Sequence, residues 1–442
     1  MTIFRAYDIR GVYGKDFSDE LAEDLGKAFG STCTGTVVVG RDMRLSGERL
    51  SERLIAGLLS TGVSVADIGL VPTPLMYFTA NHYGYGSGIM ITASHNPPEY
   101  NGFKLIRNFS TLQGEEIQQL KTIIEARRFR KDEGRLHKKN VIPDYIDFVK
   151  QKVNLGRKLK IVIDSGNGMG GMLAPKLLRE LGCEVVELYS QLDGNFPNHH
   201  PDPTVDENLS DLIDEVKKQK ADFGVGYDGD ADRAGFIDNQ GLIIRGDQAL
   251  ILFSREILKK QKNAKIIYEV KCSRALEEEI KKHKGIPIMY RTGHSYIKQK
   301  IKEEKAALAG EMSGHFYFAD NYYGFDDAIF ATARMAEQLS KSDEKLSSMI
   351  DSLPKYYSTP EIRAGCPDEK KFEIVEAVTK DFQKQGLKVI SIDGARVEFE
   401  DGWGLIRASN TTPALILRFE AKTQKRLEEI RSLVEGELKK KI

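Results

Sequence analysis

The sequence predicts an α/β protein with three related α/β domains, whose sheets are mixed and mostly parallel, and a smaller C-terminal α+β domain. Three observations carry this. At 442 residues the chain is too long for a single compact core. A strand–turn–helix–strand pattern recurs three times at roughly the spacing of a domain. The pattern then changes after about Tyr356.

The first copy runs from Val37-Val38-Val39-Gly40, through an amphipathic stretch at 47–59 and Gly62, to a second apolar run at 63–68. The second is Ile161-Val162-Ile163, a glycine turn, residues 173–181, Gly182 and Val185-Val186. The third is Ile266-Ile267-Tyr268, Cys272-Ser273, residues 275–284, Gly285 and 286–289. An apolar strand, a helix of about three turns and another apolar strand form a βαβ unit, which favours parallel pairing. Polar breaks at 131–140, at Asp238-Asn239-Gln240-Gly241 and at Leu353-Pro354-Lys355 divide the chain into domains 1–140, 141–241, 242–353 and 356–442. The last segment reads as helix, strand, a turn at Asp393-Gly394, strand, a further strand at 415–419 and a charged terminal helix. A hinge is expected near Pro354 to Pro360.

Composition excludes some partners. Lys plus Arg and Asp plus Glu are both 65, so the formal net charge is zero, and neither nucleic acid nor an anionic membrane is expected as partner. A local cationic pocket for a small anion remains compatible with that balance. Cys33, Cys183, Cys272 and Cys366 lie far apart with no C-x-x-C, so free thiols in a reducing cytosol are expected. No signal peptide and no bilayer-length apolar run is evident, and a cytoplasmic location is expected.

Four loops carry chemistry. Thr92-Ala93-Ser94-His95-Asn96-Pro97-Pro98 follows the apolar run 88–91, at the strand end where open α/β sheets place ligands. There Ser94 offers a hydroxyl beside the imidazole of His95. Asp228-Gly229-Asp230-Ala231-Asp232-Arg233 spaces three carboxylates by small residues, a pattern able to wrap one hard cation such as Mg²⁺. An EF-hand is excluded, because its sixth position would be Arg233 instead of Gly and its twelfth Asn239 instead of Glu. In Gly310-Glu311-Met312-Ser313-Gly314-His315, Glu311 and Ser313 project to one side of an extended loop and suit neighbouring sugar hydroxyls. In Arg407-Ala408-Ser409-Asn410-Thr411-Thr412-Pro413, a guanidinium, three hydroxyls and an amide can surround a phosphate. Gly166-Asn167-Gly168-Met169-Gly170-Gly171 also satisfies G-x-G-x-x-G. A nicotinamide enzyme, however, would leave the three-aspartate loop without a task, and a tight strand-to-helix turn explains these glycines.

In order and spacing the four loops resemble the α-D-phosphohexomutase family, most closely its phosphomannomutase/phosphoglucomutase branch. The resemblance runs from Tyr7-Asp8-Ile9-Arg10-Gly11 to residue 413, and implies four domains around a central cleft. It implies that Ser94 carries the transferable phosphoryl group beside His95, and that Asp228, Asp230 and Asp232 hold Mg²⁺ with an oxygen of phosphorylated Ser94. Lys104 and Arg10 match basic residues near that serine, and Lys271 and His294 match residues of proton transfer and substrate contact. Tyr7, Arg233 and His315 are placed in the substrate site, with Glu311 and Ser313 as sugar-hydroxyl readers. Arg407, Ser409, Asn410 and Thr411 match the loop that grips the non-reacting phosphate.

The implied reaction interconverts hexose 1-phosphate and hexose 6-phosphate through a bisphosphorylated sugar, with hexose 1,6-bisphosphate as activator and either His294 or Lys271 as base. Met312 between Glu311 and Ser313 resembles the mannose/glucose branch, which implies those sugars. The alternatives are a phosphoglucosamine mutase and, more distantly, a magnesium-dependent sugar phosphatase using Asp228 as nucleophile.

Overall fold

The β-branched residues Val37, Val38 and Val39 are wholly buried, and form the centre of the strand Thr36–Arg41. The structure is a computed structural model and describes residues 3–4, 8–409 and 413–441. Thr36–Arg41 pairs in parallel with Ser64–Leu70 on one side and Ser87–Ile91 on the other. The helices Gly47–Leu59 and Thr73–His82 make the crossovers. Lys160–Asp164 likewise lies between Glu184–Leu188 and Phe223–Tyr227, and Lys265–Glu269 lies between Ile286–Tyr290 and Leu308–Gly310, all parallel. The repeated sequence pattern is therefore a repeated three-strand parallel core.

Each core then continues into an antiparallel strand. Tyr100–Arg107 returns beside Ser87–Ile91, Ala234–Asp238 beside Phe223–Tyr227, and Phe316–Phe318 beside Leu308–Gly310. The segments 92–99, 228–233 and 311–315 link these pairs, so three of the four sequence-identified loops occupy one topological position in three successive sheets. All three leave the carboxyl end of a parallel strand, the edge at which such sheets bind ligands. The first sheet adds Ile9–Val12 antiparallel to Tyr100–Arg107 and Leu136–Lys138 parallel to Ser64–Leu70.

The C-terminal unit is a wholly antiparallel sheet ordered Tyr357–Ser358, Ala414–Ala421, Gly402–Ala408, Ala395–Phe399, Lys388–Ile390. The helices Lys371–Lys384 and Gln424–Lys439 contribute Val378, Phe382, Ile430 and Val434 to its core. Sequence patterning puts a helix first in this unit, whereas the structure places the strands Tyr357–Ser358 and Ile362–Gly365 ahead of it. The first is an exposed pair of residues, and the second, whose Ile362 and Ala364 turn inward, is only four residues long, too short for its alternation to stand out.

Buried side chains of the first three units merge into one core, from Val38 and Leu75 through Ile163 and Leu177 to Leu250 and Phe330. The fourth unit joins the third differently. Arg396 donates to the carbonyls of Val270 at 2.5 Å and Cys272 at 2.9 Å, and its guanidinium lies 3.9 Å from the ring centre of Trp403. Arg418 donates to the carbonyl of Lys271 at 2.5 Å. From the third unit, Arg274 donates to the carbonyls of Phe399, Glu400 and Gly402.

Candidate active site

Ser94 sits at φ 52, a left-handed conformation that a non-glycine residue keeps only when its surroundings impose it. The cause is Arg44. Its wholly buried guanidinium donates to the carbonyls of Ser94 at 2.8 Å, Asn96 at 2.6 Å, Pro97 at 2.7 Å and Tyr100 at 2.9 Å. The Ser94 amide donates to Thr92 Oγ1 at 2.8 Å. Ser94 Oγ donates to Asp228 Oδ2 at 2.7 Å and lies 3.0 Å from His95 Nδ1. Burial, followed by the positive charge of Arg233, holds the His95 imidazole far below its ordinary pKa, so it is neutral. The two loops touch closely: a Cβ on Gly229 would stand 2.3 Å from the Ser94 carbonyl oxygen. Only glycine at 229 lets the aspartate loop approach the serine.

Asp228, Asp230 and Asp232 are completely buried and offer oxygens within 4.8 Å of one another. The amides of Asp232 and Arg233 donate to Asp228 Oδ1. Lys104 Nζ donates to Asp230 at 2.7 Å and also to Asp232. Burial, then repulsion from Asp232 and Asp230, pushes the Asp228 carboxyl well above its ordinary pKa. Against the same burial, Lys104 holds Asp230 and Asp232 down. Beside Lys104, Arg233 stands 3.8 Å from Asp228 and His315 3.4 Å from Asp232. Asp230 Oδ1 and Asp232 Oδ1 are buried without a hydrogen-bond partner. Three hard oxygen donors within 4.8 Å of one another, with Asp230 Oδ1 left unengaged, fit a divalent cation such as Mg²⁺.

Across the cleft, Gly293 donates its amide to Glu311 Oε1 at 2.8 Å, and the Tyr317 hydroxyl donates to Glu311 Oε2 at 2.6 Å. His315 stands 3.3 Å from Glu311 and 3.4 Å from Asp232, with Ser313 Oγ 3.0 Å from its Nδ1. Although burial opposes charge, Asp232 and Glu311 raise His315 to about 9, and His315 in turn helps hold Glu311 at about 2. His294, the first residue of the helix His294–Glu304, is driven well below its ordinary pKa by burial and then by Lys298. Lys271 lies 3.1 Å from Glu361 and 3.8 Å from Glu269, and these carboxylates raise it against burial. His294 is thus a neutral acceptor, and Lys271 a charged donor.

Ser94, Lys104, Arg233, Lys271, His294 and Arg407 all line one cleft of about 1180 Å³. So do Arg10, His95, Glu311, Ser313, His315 and Ser409. Arg10 reaches it through bonds to Asn96 Oδ1 at 2.7 Å and Asp8 at 2.8 Å. Arg407 pairs with Asp393 at 3.0 Å. Tyr7, Asn410 and Thr411 lie outside the described residues. The three aspartates stand behind the lining, beneath Ser94.

Sequence reasoning missed Arg44, and it missed Thr73, whose hydroxyl donates to Asp230 Oδ2 at 2.5 Å. The charged run Arg41-Asp42-Met43-Arg44 at the carboxyl end of an apolar strand was the available signal for the first. Among the described residues no helix is long and apolar enough to cross a membrane, and all four cysteines are buried and unpaired.

Comparison with known proteins places this geometry among relatives. Four consecutive models of phosphoglucomutase/phosphomannomutase domains match: α/β/α domain I over residues 1–131, domain II over 143–241, domain III over 245–357 and the C-terminal domain over 361–436. The chain is 47% identical over 443 residues to a phosphomannomutase/phosphoglucomutase of Pseudomonas syringae pv. tomato, covering 99% of this chain and 95% of that protein. It is 46% identical over 438 residues to a phosphoglucomutase of Neisseria gonorrhoeae, covering 97% and 95%. The crystal structure of a phosphoglucomutase/phosphomannomutase family protein from Burkholderia thailandensis superposes with a TM-score of 0.94 at 43% identity, covering 100% of this chain and 98% of that one.

Proposed function

The chain belongs to the phosphoglucomutase/phosphomannomutase family, and from that premise we propose that it moves a phosphoryl group between the 1- and 6-positions of mannose and glucose phosphates, with Ser94 as carrier. One observation carries the assignment to Ser94. Ser94 lines the cleft, while Asp228, the nucleophile a phosphatase would need, is not among the lining residues and accepts a hydrogen bond from the serine hydroxyl. A phosphosugar therefore meets the serine before it can meet the aspartate.

Asp228, Asp230 and Asp232 would hold Mg²⁺ together with an oxygen of phosphorylated Ser94. When bound, the ion neutralises phosphoryl charge during in-line transfer. Arg10, Lys104 and Arg233 surround the serine and attract the dianionic group. Neutral His294 accepts the proton of the attacking sugar hydroxyl, and charged Lys271 donates hydrogen bonds to the sugar or its phosphate. Glu311 already accepts from Gly293 and Tyr317, so it presents a rigid, ionised acceptor to sugar hydroxyls. Arg407 and Ser409 line the same cleft and would hold the phosphate that is not reacting. A bisphosphorylated sugar would turn between them and Ser94, and a trace of hexose 1,6-bisphosphate would recharge dephosphorylated Ser94. Buried unpaired thiols suit a reducing, cytoplasmic setting.

The test is a coupled assay with Mg²⁺ and trace hexose 1,6-bisphosphate, offering mannose, glucose and glucosamine 1-phosphates to wild type and Ser94→Ala. Formation of 6-phosphates that disappears with Ser94→Ala supports the reading, and the rate ratios rank the sugars. Release of free phosphate alone, or full activity of Ser94→Ala, overturns it.

A further inference from the structure

Thr73 grips the middle aspartate of the metal loop from another unit of the protein. Its hydroxyl donates to Asp230 Oδ2 at 2.5 Å, and its amide donates to the Asp230 carbonyl at 3.0 Å. Side chain and backbone of one residue are thus fixed by one residue. Thr73 is fully buried and opens the helix Thr73–His82, with Pro72 before it and Pro74 after it. Proline fixes its own φ and restricts the residue ahead of it, so the hydroxyl stands on stiff backbone. One turn along the same helix, the Tyr77 hydroxyl accepts from Lys298 at 2.9 Å, anchoring the helix in the third unit as well.

These bonds decide which oxygen of Asp230 is left over. Lys104 and Thr73 both occupy Oδ2, and Oδ1, equally buried, has no partner. A carboxylate with one oxygen doubly bonded cannot turn without breaking two hydrogen bonds inside the protein. Oδ1 is thereby left uncommitted on a residue whose carboxylate shares a group of potential ligand atoms, all within 4.8 Å, with Asp228 and Asp232.

We propose that Thr73 is a positioning residue for the divalent cation, locking Asp230 so that Oδ1 is presented as a ligand. The inference rests on the reading that the aspartate loop holds the ion. Partners that orient ligating groups typically account for about 10–100-fold in metal affinity.

The experiment titrates Mg²⁺ by calorimetry into the metal-free full-length chain: wild type, Thr73→Val, Thr73→Ser and Asp230→Asn. Circular dichroism and thermal unfolding of each metal-free variant are recorded alongside. Thr73→Val keeps the shape and removes the donor, and its Mg²⁺ dissociation constant is expected to rise about 10–100-fold. The Mg²⁺ concentration needed for half-maximal turnover should shift by a similar factor, with kcat at saturating Mg²⁺ largely restored. Thr73→Ser keeps the donor and should bind within a few-fold of wild type. If Thr73→Val does not fold, Thr73→Ala is read in the same titration. Undiminished Mg²⁺ affinity in the folded hydroxyl-free variant, alongside loss in Asp230→Asn, overturns the inference alone. Undiminished affinity in Asp230→Asn overturns the metal-site reading beneath it.

Discussion

Lys104 Nζ lies between the carboxylates of Asp230 and Asp232, 2.7 Å from the first, so a cation of the protein's own already sits against the loop that fits a metal. A divalent cation bound to these carboxylates would be repelled by the Lys104 ammonium. Lys104→Met removes that repulsion and preserves most of the volume. We expect it to bind Mg²⁺ at least as tightly as wild type, yet to lose turnover by about 10²–10³-fold, because the phosphoryl group loses a nearby ammonium. Calorimetric Mg²⁺ affinity set beside kcat checks the split.

The neutral state of His294 and the charged state of Lys271 assign different losses. His294→Gln should lower kcat by about 10²–10³-fold with little change in KM, the signature of an interaction made in the transition state. Lys271→Met should act mainly on KM. Steady-state kinetics on both variants test this, and a reversed pattern would exchange their roles.

Arg44 satisfies four carbonyls of the serine loop and stands 3.4 Å from buried Asp42. Arg44→Ala strands these groups and should cost about 3–5 kcal/mol in chemical denaturation. Arg44→Lys should recover little of it, since an ammonium cannot reproduce the fork.

Asp327 caps the helix Ala328–Ser340 at Phe330 N and accepts from Tyr145 and Tyr322, each bond 2.8 Å long. Burial raises its carboxyl to about 6 from an ordinary 3.8. The folded state therefore holds the proton more tightly than the unfolded chain does. That stabilisation is fully present below about pH 4 and is lost as pH rises through about 6. Asp327→Asn does not titrate, so its stability relative to wild type should improve by roughly 2–3 kcal/mol between pH 4 and 7. Unfolding curves at both pH values check it, and a constant difference would refute it.

Much of the architecture was readable, because β-branched strands, glycine turns and helical periodicity coincide in each copy of the repeat. The matching position of the Ser94, Asp228 and Glu311 loops was not readable. It depends on the return strands Tyr100–Arg107, Ala234–Asp238 and Phe316–Phe318, which share neither length nor pattern. Arg44 and Thr73 stayed hidden for a different reason. Their significance lies in partners such as Asp230, 157 residues from Thr73, and no local spacing encodes a contact between units.

The guanidinium groups of Arg396 and Arg418 reach across to the backbone of Val270, Lys271 and Cys272. The turn carrying Lys271 and the sheet carrying Arg407 are therefore tied along a common seam. Because the first three units share one buried core, the seam makes the fourth unit's wall a continuation of that same body. The spacing between Lys271 and Arg407 is then set by backbone hydrogen bonds across the seam, so the cleft meets an anion with its two cations already in place.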